Sequence, residues 1–393
     1  MTVKAPVRVG IIGAGFSAAL HAAALGQVRG VGVRIAAVAS RGGDRANAFA
    51  RTWGVPTVYS HPADLIADPE IDVVCVCLPN SLHAETVLAA LNAGKHVICE
   101  KPMTGAFGPS RAATGMERAL AERERSAASA EEIRTAAERS GRTFMYAENW
   151  IYAPAITKVV RLLEVSGGRV LDIRAEESHS GSHAPLSRRR EAAGGGALLM
   201  LGSHPIGAVL HIKRMEASFA GVPAPRVTSV TAETARLYDS QAVAASDHAW
   251  IVSDWDDVET WANAVLAFED GTRATIAASF AMLGGVRNQI EVYATNGAYR
   301  SNLTPNDSLL AFTPDGNAFG SEYLHEKVES RTGWIFASPD EEWVRGYPQE
   351  MQDFIECVAY GRRPLADLTI ASQVVDIIYA SYLSAEQGVR IEM

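Results

Sequence analysis

An apolar strand pattern, Val7–Ile12, runs directly into Gly13-Ala14-Gly15-Phe16-Ser17-Ala18 and from there into a helical pattern ending near Val28. No other feature constrains the chain as much. In a G-x-G-x-x-G/A turn the missing side chains let the backbone bend tightly and approach a pyrophosphate, while the N–H groups and dipole of the following helix attract the anion. The motif is short, and its meaning depends on the chain downstream of it. Strand patterns at Val33–Ser40, Val73–Leu78 and Val97–Cys99 alternate with helical patterns at Arg41–Trp53 and Leu82–Ala93. Such alternation predicts a parallel sheet covered on both faces, a doubly wound α/β unit of Rossmann type. Gly13, Gly15, Phe16 and Ser17 are therefore expected to cradle the phosphates of a dinucleotide.

The end of the second strand bears on which dinucleotide. An acid there holds the ribose hydroxyls of NAD, but this chain has Ser40 and Arg41, with Arg45 one turn further on. A guanidinium can stack on adenine and meet a 2′-phosphate, so these residues lean toward NADP over NAD.

From Thr143 onward strands follow one another without intervening helices: Val170–Glu177, Arg226–Leu237, Glu259–Phe268, Arg273–Phe280 and Gln289–Ala294. Glu269-Asp270-Gly271 between two alternating runs signals a hairpin. The expectation is a second domain of α+β type carrying a large, mostly antiparallel open sheet. Residues 1–147 form the first domain and 148–393 the second. A helix at Glu131–Ser140 completes the first domain, a charged stretch at about 106–129 reads as a surface helical insertion, and helices at Gln349–Tyr360 and Thr369–Ser384 pack back on the first domain.

Composition removes several functions. The chain has 393 residues, 48% hydrophobic and 21% charged, with 36 Lys+Arg against 45 Asp+Glu. An acidic chain lacks the basic footprint of nucleic-acid binding, and no apolar run approaches the ~18 residues that span a bilayer. The cysteines Cys75, Cys77, Cys99 and Cys357 include no C-x-x-C pair, and Cys75 and Cys77 read as small core residues in an apolar strand. The N-terminus does not fit a secretory signal, so a cytoplasmic protein is expected. His179 and His183 are four apart at a strand end, which does not put two imidazoles on one face, and no metal is expected.

Leu78-Pro79-Asn80-Ser81-Leu82-His83 closes one strand, and Ala93-Gly94-Lys95-His96-Val97-Ile98-Cys99-Glu100-Lys101-Pro102 spans another. With the glycine turn, these segments resemble the glucose-fructose oxidoreductase, inositol dehydrogenase and rhizopine-catabolism (Gfo/Idh/MocA) family, whose hallmark is Glu-Lys-Pro after the fifth strand. The resemblance is strong over about residues 5–104. It implies that Lys101 lies beside the nicotinamide and the substrate hydroxyl, that Glu100, Leu78, Pro79, Asn80 and His83 support the cofactor, and that Pro102 follows a cis peptide. The family's second signature is a glycine-rich turn followed by a helix bearing Asp and, four residues later, His. Here Gly194-Gly195-Gly196 is followed by Met200 in the Asp place and by His204. Spaced i, i+4, the two are expected on one helix face, with His204 as acid/base partner of Lys101.

The substrate side is expected from Glu148, Asn149, Trp150 and Tyr152 at the domain seam, from His179 and His183, and from Arg188, Arg189 and Arg190, which could clamp an anionic substituent. The resemblance implies an NAD(P)-dependent oxidoreductase that moves a hydride from a ring hydroxyl of a sugar, sugar acid, cyclitol or glycoside, acting as a homodimer or homotetramer. The alternative is a redox-neutral, NAD-dependent glycosidase that oxidises C3, eliminates the aglycone, adds water and returns the hydride, for instance on a sulfoquinovoside.

Overall fold

Five of the six residues of Val7–Ile12 (β1) are buried, as a run covered on both faces must be. The computed structural model describes residues 5–41, 43–109, 114–182, 184–252, 254–304, 308–328 and 330–393. From β1 the chain continues through α1 (Phe16–Leu25), β2 (Val33–Ala39), α2 (Gly43–Trp53), β3 (Thr57–Tyr59), α3 (Pro62–Ala67), β4 (Val73–Val76), α4 (His83–Asn92), β5 (His96–Glu100), α5 (Gly115–Ser140) and β6 (Phe144–Ala147). The six strands lie in the order β3-β2-β1-β4-β5-β6, every neighbouring pair parallel. In this doubly wound order the direction of winding reverses between β1 and β4, which opens a crevice at their carboxyl ends. The glycine turn leaves β1 at that crevice.

One expectation fails here. The charged stretch is not an insertion set apart from the helix at Glu131–Ser140, because Gly115–Ser140 is a single helix of 26 residues. Thr114 starts it with a capping box, accepting from the Glu117 N–H while the Glu117 carboxylate accepts from the Thr114 N–H. Ala119, Glu122, Ser126, Ala130, Ile133 and Ala137 form a buried stripe along it. Most of these side chains are small or polar, so apolar periodicity does not reveal the stripe. Small side chains are also what allow a second helix to approach closely. Residues 110–113 lie outside the described residues.

The rest of the chain runs α6 (Pro154–Ser166), β7 (Val170–Ser178), α7 (Arg190–Ala193), α8 (Ala197–Met200), α9 (Ser203–Phe219), β8 (Val227–Ala235), α10 (Gln241–Ala244), β9 (Trp261–Phe268), β10 (Arg273–Ser279), β11 (Arg287–Ala294), β12 (Gly297–Asn302), β13 (Leu310–Thr313), β14 (Gly333–Phe336), α11 (Glu341–Arg345), α12 (Tyr347–Tyr360), α13 (Leu368–Gln387) and β15 (Ile391–Glu392). Seven of these strands form one open sheet, β12-β11-β7-β10-β9-β8-β15, antiparallel except for β7 against β10. The predicted hairpin is present, with Gly271 at φ 90° in the β9–β10 turn.

Helix α9 covers β7 and β10, α12 packs on α1, and α13 packs on α5, α9 and β8. Helix α13 is long and apolar enough to cross a membrane by length and composition, but 67% of its most apolar stretch is buried against the rest of the chain. Its apolar residues supply the core joining the two sheets.

Candidate active site

Lys101 follows β5, and its peptide bond to Pro102 is cis. Its Nζ donates to the carbonyl of Met200 at 2.5 Å. That carbonyl is available because the helix breaks at this point. In a continuous helix the His204 N–H would bond to Met200, but it bonds to the Leu201 carbonyl at 3.1 Å instead. The segment ending at Met200 and the helix beginning at Ser203 meet at a 49° bend. Met200 and His204 therefore do not share one face of a single helix, which corrects the i, i+4 expectation. Both still line one cleft, with an empty volume of about 1050 Å³.

His204 is buried. Its Nδ1 lies 2.6 Å from Glu148 Oε1, and its ring stacks on Trp150 with centroids 5.9 Å apart and planes 10° apart. This contact fixes the ring and leaves Nε2 for the cleft. Burial pushes the Glu148 carboxyl well up and the His204 imidazole well down, so the dry seam keeps both neutral. Glu148 thus acts through His204 and does not line the cleft itself.

Below Lys101, Glu100 accepts from His21 at 3.0 Å, and its other oxygen accepts from the Lys101 N–H at 3.0 Å. His21 Nδ1 lies 3.1 Å from Cys75 Sγ, and both Cys75 and Cys77 are buried as core residues. Burial opposes charge on Glu100, but the hydrogen bond and charge of His21 prevail and hold its carboxyl below the ordinary range. The carboxylate is thus tied to both the core and the Lys101 turn.

The opposite wall comes from the second sheet. Glu177 and His179 project from β7 and its end, Asn288 from β11, and Arg345 from α11. Burial pushes Glu177 up to about 7. Burial and the Lys327 charge push His179 down to about 3, and its Nδ1 accepts from the Gly181 N–H at 3.2 Å, which leaves its proton on Nε2. Arg345 is buried and pairs with Glu326 at 2.6 Å.

The cleft begins at the first turn of α1, where Phe16, Ser17 and Leu20 line it. Helix α1 has no capping side chain and no acid in its first turn, and a Cβ on Gly15 would meet nothing within 4 Å. At Gly13, by contrast, a Cβ would lie 2.1 Å from the Cys77 carbonyl, at a φ of 117°. One glycine is thus required by the turn, and the other leaves room in front of an uncapped helix N-terminus. These features fit a dinucleotide phosphate, with Gly13, Gly15, Phe16 and Ser17 holding it. Ser40, Arg41 and Arg45 lie at the end of β2 and the start of α2, both arginines exposed.

Two family models match the chain: an oxidoreductase family with an NAD-binding Rossmann fold over residues 7–129, and the GFO/IDH/MocA C-terminal domain over residues 164–300. The chain belongs to the Gfo/Idh/MocA family. Among its relatives, the D-xylose 1-dehydrogenase (NADP(+)) 2 of Haloferax volcanii is 26% identical over 91% of each chain. The levoglucosan dehydrogenase of Pseudarthrobacter phenanthrenivorans is 30% identical over 51% of this chain and 49% of its own. The crystal structure of GenD2 from gentamicin A biosynthesis, in complex with NAD, superposes with a TM-score of 0.79 at 23% identity, covering 100% of this chain and 98% of that one.

Within this Gfo/Idh/MocA framework several expected site residues take other positions. Arg188 pairs with Asp254, Arg189 with Glu191 at 3.4 Å, and Arg190 with Glu122 at 2.6 Å, so these three are held in ion pairs and do not line the cleft. His83 is buried, its ring nitrogens 2.7 and 2.8 Å from the Pro102 and Leu78 carbonyls, and it pins two strand-end turns together. Asn80 donates to the Ala193 carbonyl at 3.2 Å, while Leu78 and Pro79 form the turn before it. Asn149 and Trp150 do line the cleft. His183 lies outside the described residues.

Tyr152 faces away from the cleft. Its hydroxyl donates to Asp353 at 2.7 Å and accepts from the Ala366 N–H at 3.0 Å. Tyr152→Phe leaves the Ala366 N–H without its acceptor and removes one of several bonds to Asp353, and should cost about 1–3 kcal/mol, read as a lower urea midpoint. The KM for the alcohol should not change, and a raised KM would return Tyr152 to the site. Sequence reading missed Arg345 and Asn288 as site residues, and placed Glu177 only within the Glu176–His183 segment as a whole, without a role of its own.

Proposed function

We propose that this enzyme oxidises a ring hydroxyl of a small sugar or cyclitol, with NADP as its preferred dinucleotide. The observation that carries the reading is Lys101 and His204 facing one cleft that opens at the uncapped N-terminus of α1. The relatives that act on D-xylose and levoglucosan support a carbohydrate substrate. A bound nicotinamide would accept the carbinol hydride. Lys101 donates a hydrogen bond to the reacting oxygen, and His204, held by Glu148 and Trp150, orients the neighbouring hydroxyl. The NADP preference is supported by the exposed guanidinium of Arg41 just after β2, a group whose chemistry suits a 2′-phosphate. Association into a homo-oligomer through the outward face of the second sheet, where Leu171 and Val265 are exposed, is part of the same proposal. Sedimentation of the purified protein tests that association.

The test of activity uses D-xylose, levoglucosan, myo-inositol and a chromogenic glucoside, each with NAD and with NADP, following reduced nicotinamide and released aglycone together. Reduced cofactor should accumulate one for one with alcohol consumed. Aglycone release without reduced cofactor would replace the reading with the redox-neutral glycosidase. Arg41→Ala should raise the KM for NADP about tenfold, the value of one charge-assisted contact, and leave NAD unaffected. An equal loss with both cofactors would remove the NADP preference.

A further inference from the structure

We propose that Glu177, oriented beside Asn288, takes the hydroxyl proton from the bound alcohol and so fills the chemical place where this chain carries Met200. The inference rests on the oxidoreductase reading above.

Strand β7 alternates, and Ile173, Ala175 and Glu177 share its buried face, whereas Glu176 on the outer face pairs with Arg287 at 2.8 Å. A carboxyl in the apolar phase of a covered strand is costly unless something polar meets it. Asn288 lies directly opposite Glu177 in the β7–β11 ladder, so their side chains leave the sheet on the same side. Glu177 Oε2 and both polar atoms of the Asn288 amide are buried without a hydrogen-bond partner among the described residues. All three atoms belong to residues that line the cleft shared by Lys101 and His204. Together they offer an acceptor, a second acceptor and a donor pair, the complement of a hydroxyl-bearing ring.

The other titratable groups of the cleft are less suited to accept this proton. His179 is pushed down to about 3, and burial pushes His204 well below its ordinary value. Lys101 is already committed as a donor to the Met200 carbonyl. Glu177 has its affinity set by burial, by Lys101 and Arg345 pulling it down and by Glu326 pushing it up, to about 7. A base with that affinity is half available at neutral pH and strong enough to accept a proton as a carbonyl forms. In the step, the carbinol hydrogen would leave with the C–H electron pair as hydride to a bound oxidised nicotinamide, while the O–H bonding pair becomes the carbonyl π bond. The proton goes to Glu177 Oε2, making a neutral carboxylic acid that later releases it to solvent. The charged and titratable groups around Glu177 are Glu100 at the end of β5 and Lys101 after it, Glu148 after β6, His179 after β7, His204 on α9, Glu326 and Lys327 before β14, and Arg345 with Tyr347 at α11 and α12.

The experiment compares wild type, Glu177→Gln and the outer-face control Glu176→Gln, each loaded with NADP, over a pH series on the alcohols named above. Glu177→Gln should lower kcat by about 100-fold or more with KM little changed, and should abolish the rise of kcat/KM with pH through neutrality. Glu176→Gln should stay within about twofold. A Glu177→Gln enzyme that keeps its kcat, or keeps the acid limb, overturns the proposal. Infrared difference spectra of wild type minus Glu177→Gln read the same carboxyl without turnover. A band that titrates near neutrality and shifts when D-xylose or myo-inositol is added supports the proposal, while one that titrates in the ordinary carboxylate range, or ignores both, overturns it. If wild type reduces no cofactor with any alcohol, the oxidoreductase reading fails, and the infrared band alone judges Glu177.

Discussion

Lys101→Met should lower turnover by about 10³-fold while leaving dinucleotide affinity within about twofold, because the long apolar side chain keeps the packing and removes only the charge and its donors. Two effects add. The reacting oxygen loses its hydrogen bond, and the wall holding Glu177, Glu148 and His204 loses a cation. Lys101 is the largest charge pulling Glu177 and Glu148 down, so its removal drives both carboxyls further up. The residual activity of Lys101→Met should therefore require a higher pH than wild type. Lys101→Arg keeps the charge, but the fork of the guanidinium does not fit a site shaped around one carbonyl at 2.5 Å, so only part of the activity should return. Steady-state rates and fluorescence titration with reduced dinucleotide separate the two terms. Turnover within about tenfold of wild type would deny Lys101 its role.

Arg190→Met should destabilise the fold by about 3–5 kcal/mol, the cost of leaving buried carboxylates without their cation. Arg190 donates to both oxygens of Glu122, lies 3.6 Å from Glu259 and stacks 4.4 Å over the Tyr382 ring. Glu259 in turn accepts from the N–H groups of Gly196 and Leu198 and from the Tyr382 hydroxyl. The network therefore joins α5, the glycine turn that leads to His204, and α13. Burial already raises Glu259 above its ordinary value while Arg190 opposes the rise. Without Arg190 the folded-state value climbs further above the unfolded one. Stability contributed by the protonated form is lost as pH rises through that range, so the deficit should widen from acid toward neutral pH. Urea midpoints at two pH values measure it, and Arg190→Met with Glu122→Met should recover part of the loss. An unchanged midpoint would show that the arginine is dispensable.

The parallel sheet is readable because β4 is a continuous apolar run and β1 and β5 are apolar apart from Arg8, His96 and Glu100, and the second sheet because its strands alternate between hairpin signals. The Arg188–Arg190 run misleads because charge in a sequence does not reveal its partner. Glu122 and Glu259, the acids that bury Arg190, are far from it along the chain. Helix α5 reads too short for a related reason, since its buried stripe contains Glu122 and Ser126 where a periodicity argument looks for large apolar groups. The helix break after Met200 is marked in the sequence by Gly202 and by Pro205, which has no N–H to bond the Leu201 carbonyl, but the i, i+4 spacing of Met200 and His204 draws attention away from it. Glu177 is legible as part of the Glu176–His183 segment, and its buried phase singles it out there. It stands in the same phase as Ile173 and Ala175, and Asn288 stands in the phase of Ile290 and Val292. A polar residue that interrupts the buried phase of a strand is the available signal.

Helix α13 has a consequence for how the protein is made. The Tyr379 hydroxyl donates to the Gly194 carbonyl and accepts from the Ala106 N–H, while the helix packs along α5. A ribosome working at about 5–20 residues per second completes the six-stranded sheet long before it reaches this segment. Throughout that interval the flank of α5 lacks its cover, and the turn before His204 lacks the tyrosine that anchors it. The nucleotide-binding half thus cannot reach its final form as an early, autonomous product of translation. It waits, partly uncovered, for a helix that lies beyond the whole second sheet's central strands in the chain.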